Sequence, residues 1–467
     1  MIKLHLKDSQ LEGERLVNRS IGNIIQALDT LDELIEPAGH GTAPRDKLRA
    51  LQWAGAKIKA LETSPITYHR NANDIVDVFT SHYVGFFITD DVCINIAPRL
   101  FLDDTPQNDE NGWRLFCHML GYANNAHLAE GQDRWKENGN GFSWPWFMAI
   151  LWLAALERGM INNIIPKSYI TTTKNLDTVR GRIVFSDHIR KNIVNQVKQC
   201  CEFDELSFNV PINRAVLAAT LRLNEQNVPD GMLWEALEHC EKLLSLGVKC
   251  DPEITPDEID DIDFTMVTET YRPAMSLAKM ILGNSGADRF GFDGMGMPSA
   301  LFVDLASLWE DYIFCVLKRH LPPEFRIESP NYSNARTFML EGNARPIRPD
   351  FLVYKSDSNQ LVGIIDAKYK NYRILGSNEK VPYAVAIGDF YQMNTYLLHY
   401  SNQGSRPLTG LFVAPANADN DDIVQYTGNE NLKIGLCNFP VSKLLDNNKT
   451  EESHREFADR IAEALRA

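Results

Sequence analysis

Apolar residues recur at helical spacing between Leu16 and Ile35 (Ile21, Ile24, Ile25, Leu28, Leu31, Leu34), and Pro37 stops the run. Gly39 to Pro44 reads as a loop, and Leu48 to Leu61 as a second helix. The period then changes to two. Val84, Phe86 and Ile88 alternate with their neighbours, as do Val92, Ile94 and Ile96, with Thr89-Asp90-Asp91 between them, which predicts a β-hairpin ending at Pro98. Trp113 to Tyr122 and Trp144 to Glu157 predict strongly apolar helices separated by a polar loop. Further helices are expected over Ala215–Leu223, Leu233–Leu246 and Tyr271–Leu282. Gly283 to Met297 is rich in Gly and Asp, lacks the Gly-Lys-Ser/Thr ending of a phosphate loop, and reads as a linker.

Beyond that linker, Phe302 to Leu317 predicts a helix with Leu305, Leu308, Trp309, Ile313, Val316 and Leu317 near one face and Glu310 beside the stripe. Short strands are expected at Phe325–Ile327 and Thr337–Leu340. Two β-rich runs, Arg348–Tyr354 and Gly363–Tyr369, flank the turn-like Ser356-Asp357-Ser358-Asn359-Gln360. A helix at Ile387–Leu398, a buried-type strand at Leu408–Val413 and an amphipathic helix at Glu452–Arg466 complete the chain. The fold class is therefore α/β: a C-terminal α/β unit with a central mixed sheet, residues 286–467, after a largely helical N-terminal domain with a β-hairpin, residues 1–285.

Composition changes this picture only at the margins. A chain of 467 residues is too long for one typical core. No apolar run approaches a membrane span and Met1-Ile2-Lys3-Leu4-His5 has no signal pattern, so a cytoplasmic protein with no membrane association is expected. The eight cysteines include no Cys-x-x-Cys spacing, which points to a reduced protein without a structural metal. A net charge of −15 argues against nucleic-acid binding by the whole surface. The acidic excess lies outside Leu301–Tyr400, where acids and bases are equal in number. The acidic run Asp251–Asp263 lacks the EF-hand pattern and reads as a solvated loop.

Candidate chemistry gathers at the C-terminal hairpin. If the turn centres on Ser358, Asp350 and Asp366 lie directly opposite each other, and Lys368 shares the face of Asp366. Two carboxylates and an ammonium at the frayed end of a hairpin suit Mg2+ and an activated water. Glu310 and the Ala367 carbonyl could complete the ligand shell. On the following helix Asp389, Gln392 and Tyr396 share a face, separate from Phe390, Met393 and Leu397. The competing interpretation is a surface hairpin with an Asp366–Lys368 ion pair. Arg180 and Arg182 fit phosphate contacts and fit equally a structural network with Asp204 or Glu205.

Pro349-Asp350, Asp366-x-Lys368 and Gln392-x-x-x-Tyr396 together resemble the PD-(D/E)xK nuclease superfamily, in the subgroup with a Gln-x-x-x-Tyr helix. A wider resemblance, from about Tyr83 to Val413, is to the McrC family, the nuclease subunits of McrBC modification-dependent restriction systems. It rests on Val84-Gly85-Phe86-Phe87, Ile94–Arg99, Met119–Ala123, Arg180-Gly181-Arg182-Ile183, Cys201–Leu206, Asn213-Arg214 and Leu308-Trp309-Glu310. Trp309 stands where members commonly have Phe, and Ala97 where they have Pro; neither change removes a catalytic group.

The resemblance implies a Mg2+-dependent endonuclease subunit acting on modified double-stranded DNA. Asp350, Asp366, Glu310 and Ala367 would hold the metal, Lys368 would act on water and phosphate, and Gln392 and Tyr396 would position them. It also implies that residues 1–285 dock on an McrB-like AAA+ GTPase ring and stimulate its hydrolysis, and dimerisation of the nuclease domain is a further expectation. The chain has no Walker motif, so any motor is another chain. Two alternatives are a non-cleaving regulator of a partner NTPase, and a nuclease for unmodified DNA or RNA.

Overall fold

The computed structural model describes residues 2–7, 14–16, 21–35, 51–54, 57–61, 63–70, 76–89, 91–99, 106–124, 144–161, 164–194, 197–226, 228, 231–250, 252–283, 299–330, 337–338, 346–370, 372, 385–401, 408–416, 424–429, 432–446 and 449–466. The predicted loop at 39–44 and nearly all of the 283–297 linker lie outside them. Among the described residues no helix is long and apolar enough to cross a membrane.

The chain opens with β1 (Ile2–Lys7), β2 (Glu14–Leu16) and α1 (Ile21–Leu34). Residues 48–61, expected to be helical, instead supply the antiparallel pair β3 (Leu51–Ala54) and β4 (Lys57–Ala60). Short apolar runs fit either period, and here a long-range strand partner decides between them. β5 (Ile66–Arg70) and β6 (Val76–Thr80) pair with each other, and β2 adds to β6. The predicted hairpin forms as β7 (Tyr83–Ile88) and β8 (Val92–Ala97), with Gly85 opposite Ile96 and Ile88 opposite Cys93. α2 (Pro106–Asn124) follows. Sheets, not helices, dominate before α2.

The chain forms two compact units, and the expected division at residue 285 needs correction. Residues 1–129 and 295–467 make one unit, and 130–294 the other. The second unit contains α3 (Trp144–Gly159), β9 (Ser168–Leu176), β10 (Arg182–Ile183), α4 (Phe185–Asn192), β11 (Gln199–Ser207), α5 (Pro211–Asn224), α6 (Trp234–Ser245), α7 (Pro256–Asp260) and α8 (Arg272–Gly283). α3 is apolar all round and buried from Phe147 to Leu156, and its Trp152 indole N–H donates to Thr220 Oγ1 at 3.1 Å. Buried Asn213 donates to the carbonyls of Pro166 and Phe208, so the Asn213-Arg214 motif is a structural tie. The acidic run is a docked turn, not a free loop. Thr255 and Glu258 cap α7, Glu258 pairs with Arg214 at 3.1 Å, and Asp260 pairs with Lys279.

The first unit resumes with β12 (Ser299–Asp304), which pairs antiparallel with β7 and parallel with β3. That pairing is why the first and last parts of the chain belong together: the strand order is β1-β8-β7-β12-β3-β4. β12 runs straight into α9 (Leu305–His320), whose N-cap Asp304 accepts from the amides of Ala306 and Ser307. Then come β13 (Phe325–Glu328), β14 (Thr337–Phe338), β15 (Pro346–Ile347), β16 (Phe351–Lys355), β17 (Leu361–Ala367), α10 (Ile387–Ser401), β18 (Leu408–Ala416), β19 (Val424–Asn429), β20 (Leu432–Pro440) and α11 (Thr450–Arg466).

These elements build the expected mixed sheet, ordered β13-β16-β17-β18-β20-β19, with β17 and β18 parallel and β16 antiparallel to β17. β17 is buried along its whole length, as a central strand covered on both faces must be. Met393 and Leu397 of α10 pack with Leu352, Ile364 and Phe412 on one face.

Gly85 adopts φ +153°, and a Cβ there would sit 2.1 Å from the Leu301 carbonyl oxygen of β12. Gly85→Ala is therefore expected to lose about 2–4 kcal/mol of stability in chemical denaturation, because backbone must move to admit it. An unchanged midpoint would mean that β7 and β12 are not this close.

Candidate active site

The paired register places the two aspartates as the sequence symmetry requires. Phe351 faces Ile365, Leu352 faces Ile364 and Val353 faces Gly363, so the line extends to Asp350 opposite Asp366. A register shift between Val353 and Tyr354 absorbs one residue near the turn, where Asn359 takes φ +55°. Leu352 and Ile364 lie in the core under α10, and a period of two puts Asp350 and Asp366 on that same face. Asp366 is only 1% exposed and Asp350 9%. This burial excludes a surface hairpin.

Two backbone contacts hold this end of the sheet. The Ala367 amide donates to Asp350 Oδ2 at 2.7 Å, tying the two strands where their ladder stops. The Val413 carbonyl accepts from the Lys368 amide at 2.8 Å and from the Trp309 indole at 3.3 Å. Trp309, where Phe is usual, thus finds a partner for its N–H and fixes α9 beside the site.

The side chains form a directed relay. The Lys368 ammonium stands 2.8 Å from Asp366 Oδ2 and donates to Gln392 Oε1 at 3.0 Å. Gln392 Nε2 donates to Tyr396 Oη at 2.8 Å, and the Tyr396 hydroxyl donates to the Arg348 carbonyl at 3.0 Å. Each amide and hydroxyl is used in one sense, which sets the Gln392 amide orientation. Asp389, expected to share this polar face, adds its charge to Lys368 but makes its hydrogen bonds elsewhere. Both its oxygens receive Lys370 Nζ at 2.8 Å, and Oδ2 also accepts from Tyr372 at 2.7 Å.

Electrostatics mark the cluster as short of positive charge. Burial, and then the charges of Asp304, Asp311 and Asp366, push the Glu310 pKa up to about 7. Burial, followed by Asp366 and Glu310, holds Asp350 well above the ordinary carboxylate range. Burial works to lower the Lys368 pKa, but Asp366, with Asp350 and Asp389, outweighs it and raises the pKa. Asp366 Oδ2 has the ammonium at ion-pair distance yet no aligned hydrogen-bond donor. An all-oxygen set of crowded carboxyls with one such oxygen fits a hard divalent cation such as Mg2+.

Asp350, Asp366, Ala367 and Lys368 are therefore together, Gln392 and Tyr396 are tied to them, and Glu310 feels the charges of Asp366 and Lys368. Ala367 contributes its amide, which donates to Asp350. Lys370 and Tyr372 were missed, although Lys370 continues the alternation of Asp366 and Lys368. Arg182 does pair with a carboxylate, but with its cross-strand neighbour Glu202 at 2.6 Å, while Arg180 stacks on Phe203. Asp204 bonds Thr171, and Glu205 pairs with Lys174.

A mixed α/β chain with paired strand-end carboxylates can be compared with known proteins on these terms. The family described as McrBC 5-methylcytosine restriction system component matches residues 78–409. That is more than half of the chain, which therefore belongs to this family. A refined half-complex from the tetradecameric assembly of Thermococcus gammatolerans McrB AAA+ hexamers with bound McrC has a similar fold. The TM-score is 0.55 at 16% identity, over 99% of each chain. The cryo-EM structure of the Thermococcus gammatolerans McrBC complex matches at 18% identity over 68% of this chain and 88% of that one, with a TM-score of 0.36. No curated protein matches the sequence.

Glu310 titrates near 4.5 when unfolded and about 7 when folded, so the folded chain keeps a proton that the unfolded chain releases. Its contribution to stability is complete below the lower value and is lost as pH rises through the upper one. With chelator present, Glu310→Gln is expected to melt above the wild type at about pH 8 and level with it near pH 4.5. The difference is worth roughly 1–3 kcal/mol. Equal melting at the higher pH would contradict the crowded, buried placement.

Proposed function

We propose that the chain is the Mg2+-dependent endonuclease subunit of a two-component restriction system, cleaving DNA phosphodiesters when assembled with an McrB-like AAA+ GTPase ring. The observation that carries this reading is the continuous arrangement of Asp350, Asp366 and Lys368, locked by Gln392 and Tyr396 onto the Arg348 carbonyl. A site relieved of catalysis has no need for two buried carboxylates and an ammonium whose every partner is specified. Family membership supports the restriction role, and phage defence is the purpose such a system serves.

Asp350, Asp366 and Glu310 would hold the cation, which when bound offsets the charge of the scissile phosphate. Lys368 keeps its proton at neutral pH, because its pKa is raised, so it acts as a cationic donor to a phosphate oxygen and not as a base. Gln392 aims the ammonium. Tyr396 ties Gln392 to the segment that enters Asp350, and so sets the spacing of donor and carboxylates. Both are positioning residues. Cutting both strands of a duplex needs two such centres, which suits dimerisation of the nuclease part. A DNA substrate and a GTPase partner suit a cytoplasmic protein.

Partner engagement is assigned to residues 130–294. Phe185, Ile189 and Ile193 recur every four residues along α4 and its end, at 70%, 60% and 72% exposed, with Val194 at 92%. An unpartnered apolar stripe of this kind marks a protein-binding surface. The strand pair β7–β8 is buried inside the first sheet and is unsuited to docking.

The test is cleavage of methylated and unmethylated DNA, and of RNA, with Mg2+, GTP and the partner ring. Asp366→Ala and Lys368→Ala should each lower cutting by at least about a thousandfold while GTPase stimulation persists. Normal cutting by either variant would refute the site. A wild type that stimulates the ring but cuts no substrate would favour the regulatory alternative. Phe185→Asp with Ile189→Asp should do the reverse, abolishing GTPase stimulation in a chain with native circular dichroism. Full stimulation by that variant would place the partner elsewhere.

A further inference from the structure

A second cluster of ligating side chains lies where α2, α9 and α11 meet. His320, the last residue of α9, and Glu451 and His454, one turn apart on α11, bring a ligand atom each to within 4.8 Å of one another. His320 Nε2 is 3.5 Å from Glu451 Oε2, and the His320 and His454 rings are 5.6 Å apart. His454 is fully buried, and its Nδ1 has no hydrogen-bond partner; its Nε2 meets the Tyr312 hydroxyl at 2.7 Å. His118 of α2, its ring tilted against that of His454 at 5.9 Å, also buries an unpartnered ring nitrogen, Nε2. Buried nitrogens left bare cost free energy, and two in one cluster call for a ligand.

We propose that His320, Glu451 and His454 form a metal site for zinc or a similar borderline divalent ion, separate from the carboxylate centre. Two imidazoles and a carboxylate are a ligand set zinc takes, whereas Mg2+ prefers oxygen alone. Tetrahedral zinc needs donors roughly 3.3 Å apart, so the cluster must close by about an ångström. Solvent reaches the cluster on the side of Glu451, whose side chain is exposed. One further feature agrees. The C-terminal end of α9 presents carbonyl dipoles that favour a cation. Tyr122 contacts His320 Nε2 at 3.0 Å, the nitrogen that faces Glu451, and an ion would displace that contact. Arg319 opposes a cation, but its guanidinium is stacked 4.2 Å over the Tyr122 ring.

An ion here would staple α11 to the far end of the helix that carries Glu310. The cysteine pattern, which suggested no structural metal, could not reveal it, because the ligands come from two helices distant in sequence. The test uses the full chain, stripped with chelator and titrated with Co2+ in excess Mg2+. Nitrogen-bound Co2+ of low coordination number absorbs far more strongly in the visible than an oxygen-bound octahedral ion, which separates this site from the carboxylates. One equivalent of Co2+ with intense bands, displaced by Zn2+, is expected, together with a zinc-dependent rise in Tm. His320→Gln and Glu451→Gln, chosen because neither residue is fully buried, should each weaken Co2+ binding at least tenfold in a folded chain. A wild type without intense bands, or variants that bind as the wild type does, would overturn the proposal.

Discussion

Three carboxyl groups held out of water beside the end of one central strand impose the constraint on which the site depends. Asp366 sits at the close of a strand buried along its whole length, with Asp350 across the hairpin and Glu310 near enough for their charges to be felt. Burial and like charges so confined raise the pKa values of Glu310 and Asp350. A fold keeps such a group only by surrounding it with compensating contacts. The Ala367 amide serves Asp350, the Lys368 ammonium serves Asp366, and Gln392 and Tyr396 hold that ammonium in line. The Asp366 oxygen that faces this ammonium has no further hydrogen-bond partner.

The same economy governs the backbone. The Val413 carbonyl receives both the amide of Lys368 and the indole of Trp309, so one oxygen fixes the strand end and the helix beside it. Replacing a usual Phe by Trp adds a buried N–H, which would be costly if left bare. Here the added group gains a partner, and the departure reads as a reinforcement.

The hairpin was legible because its information is local. Eight positions either side of Ser358 and a period of two suffice to place Asp350 opposite Asp366, and the bulge near Val353 shifts only the turn side of that register. Gln392 and Tyr396 were legible for a similar reason, since four residues make one helical face. β3 and β4 were misread as helix because their strand character depends on β12, far away along the chain. The division into units failed on the same pairing. Lys370 and Tyr372 went unnoticed because their partner Asp389 had been assigned to the active face, and nothing local shows that a carboxylate is already taken.

That long-range pairing has a consequence for the site itself. β12 lies at the heart of the first sheet, and α9 begins without a loop at its end, capped by Asp304. Glu310 stands within two turns of that cap, and Trp309 beside it reaches the strand end of the second sheet. The position of Glu310 relative to Asp350 and Asp366 therefore follows from strand pairing in the N-terminal part as much as from the C-terminal sheet. At its other end α9 terminates in His320, against α11. The carboxylate centre is thus not a self-sufficient C-terminal module: it is assembled by both ends of the chain.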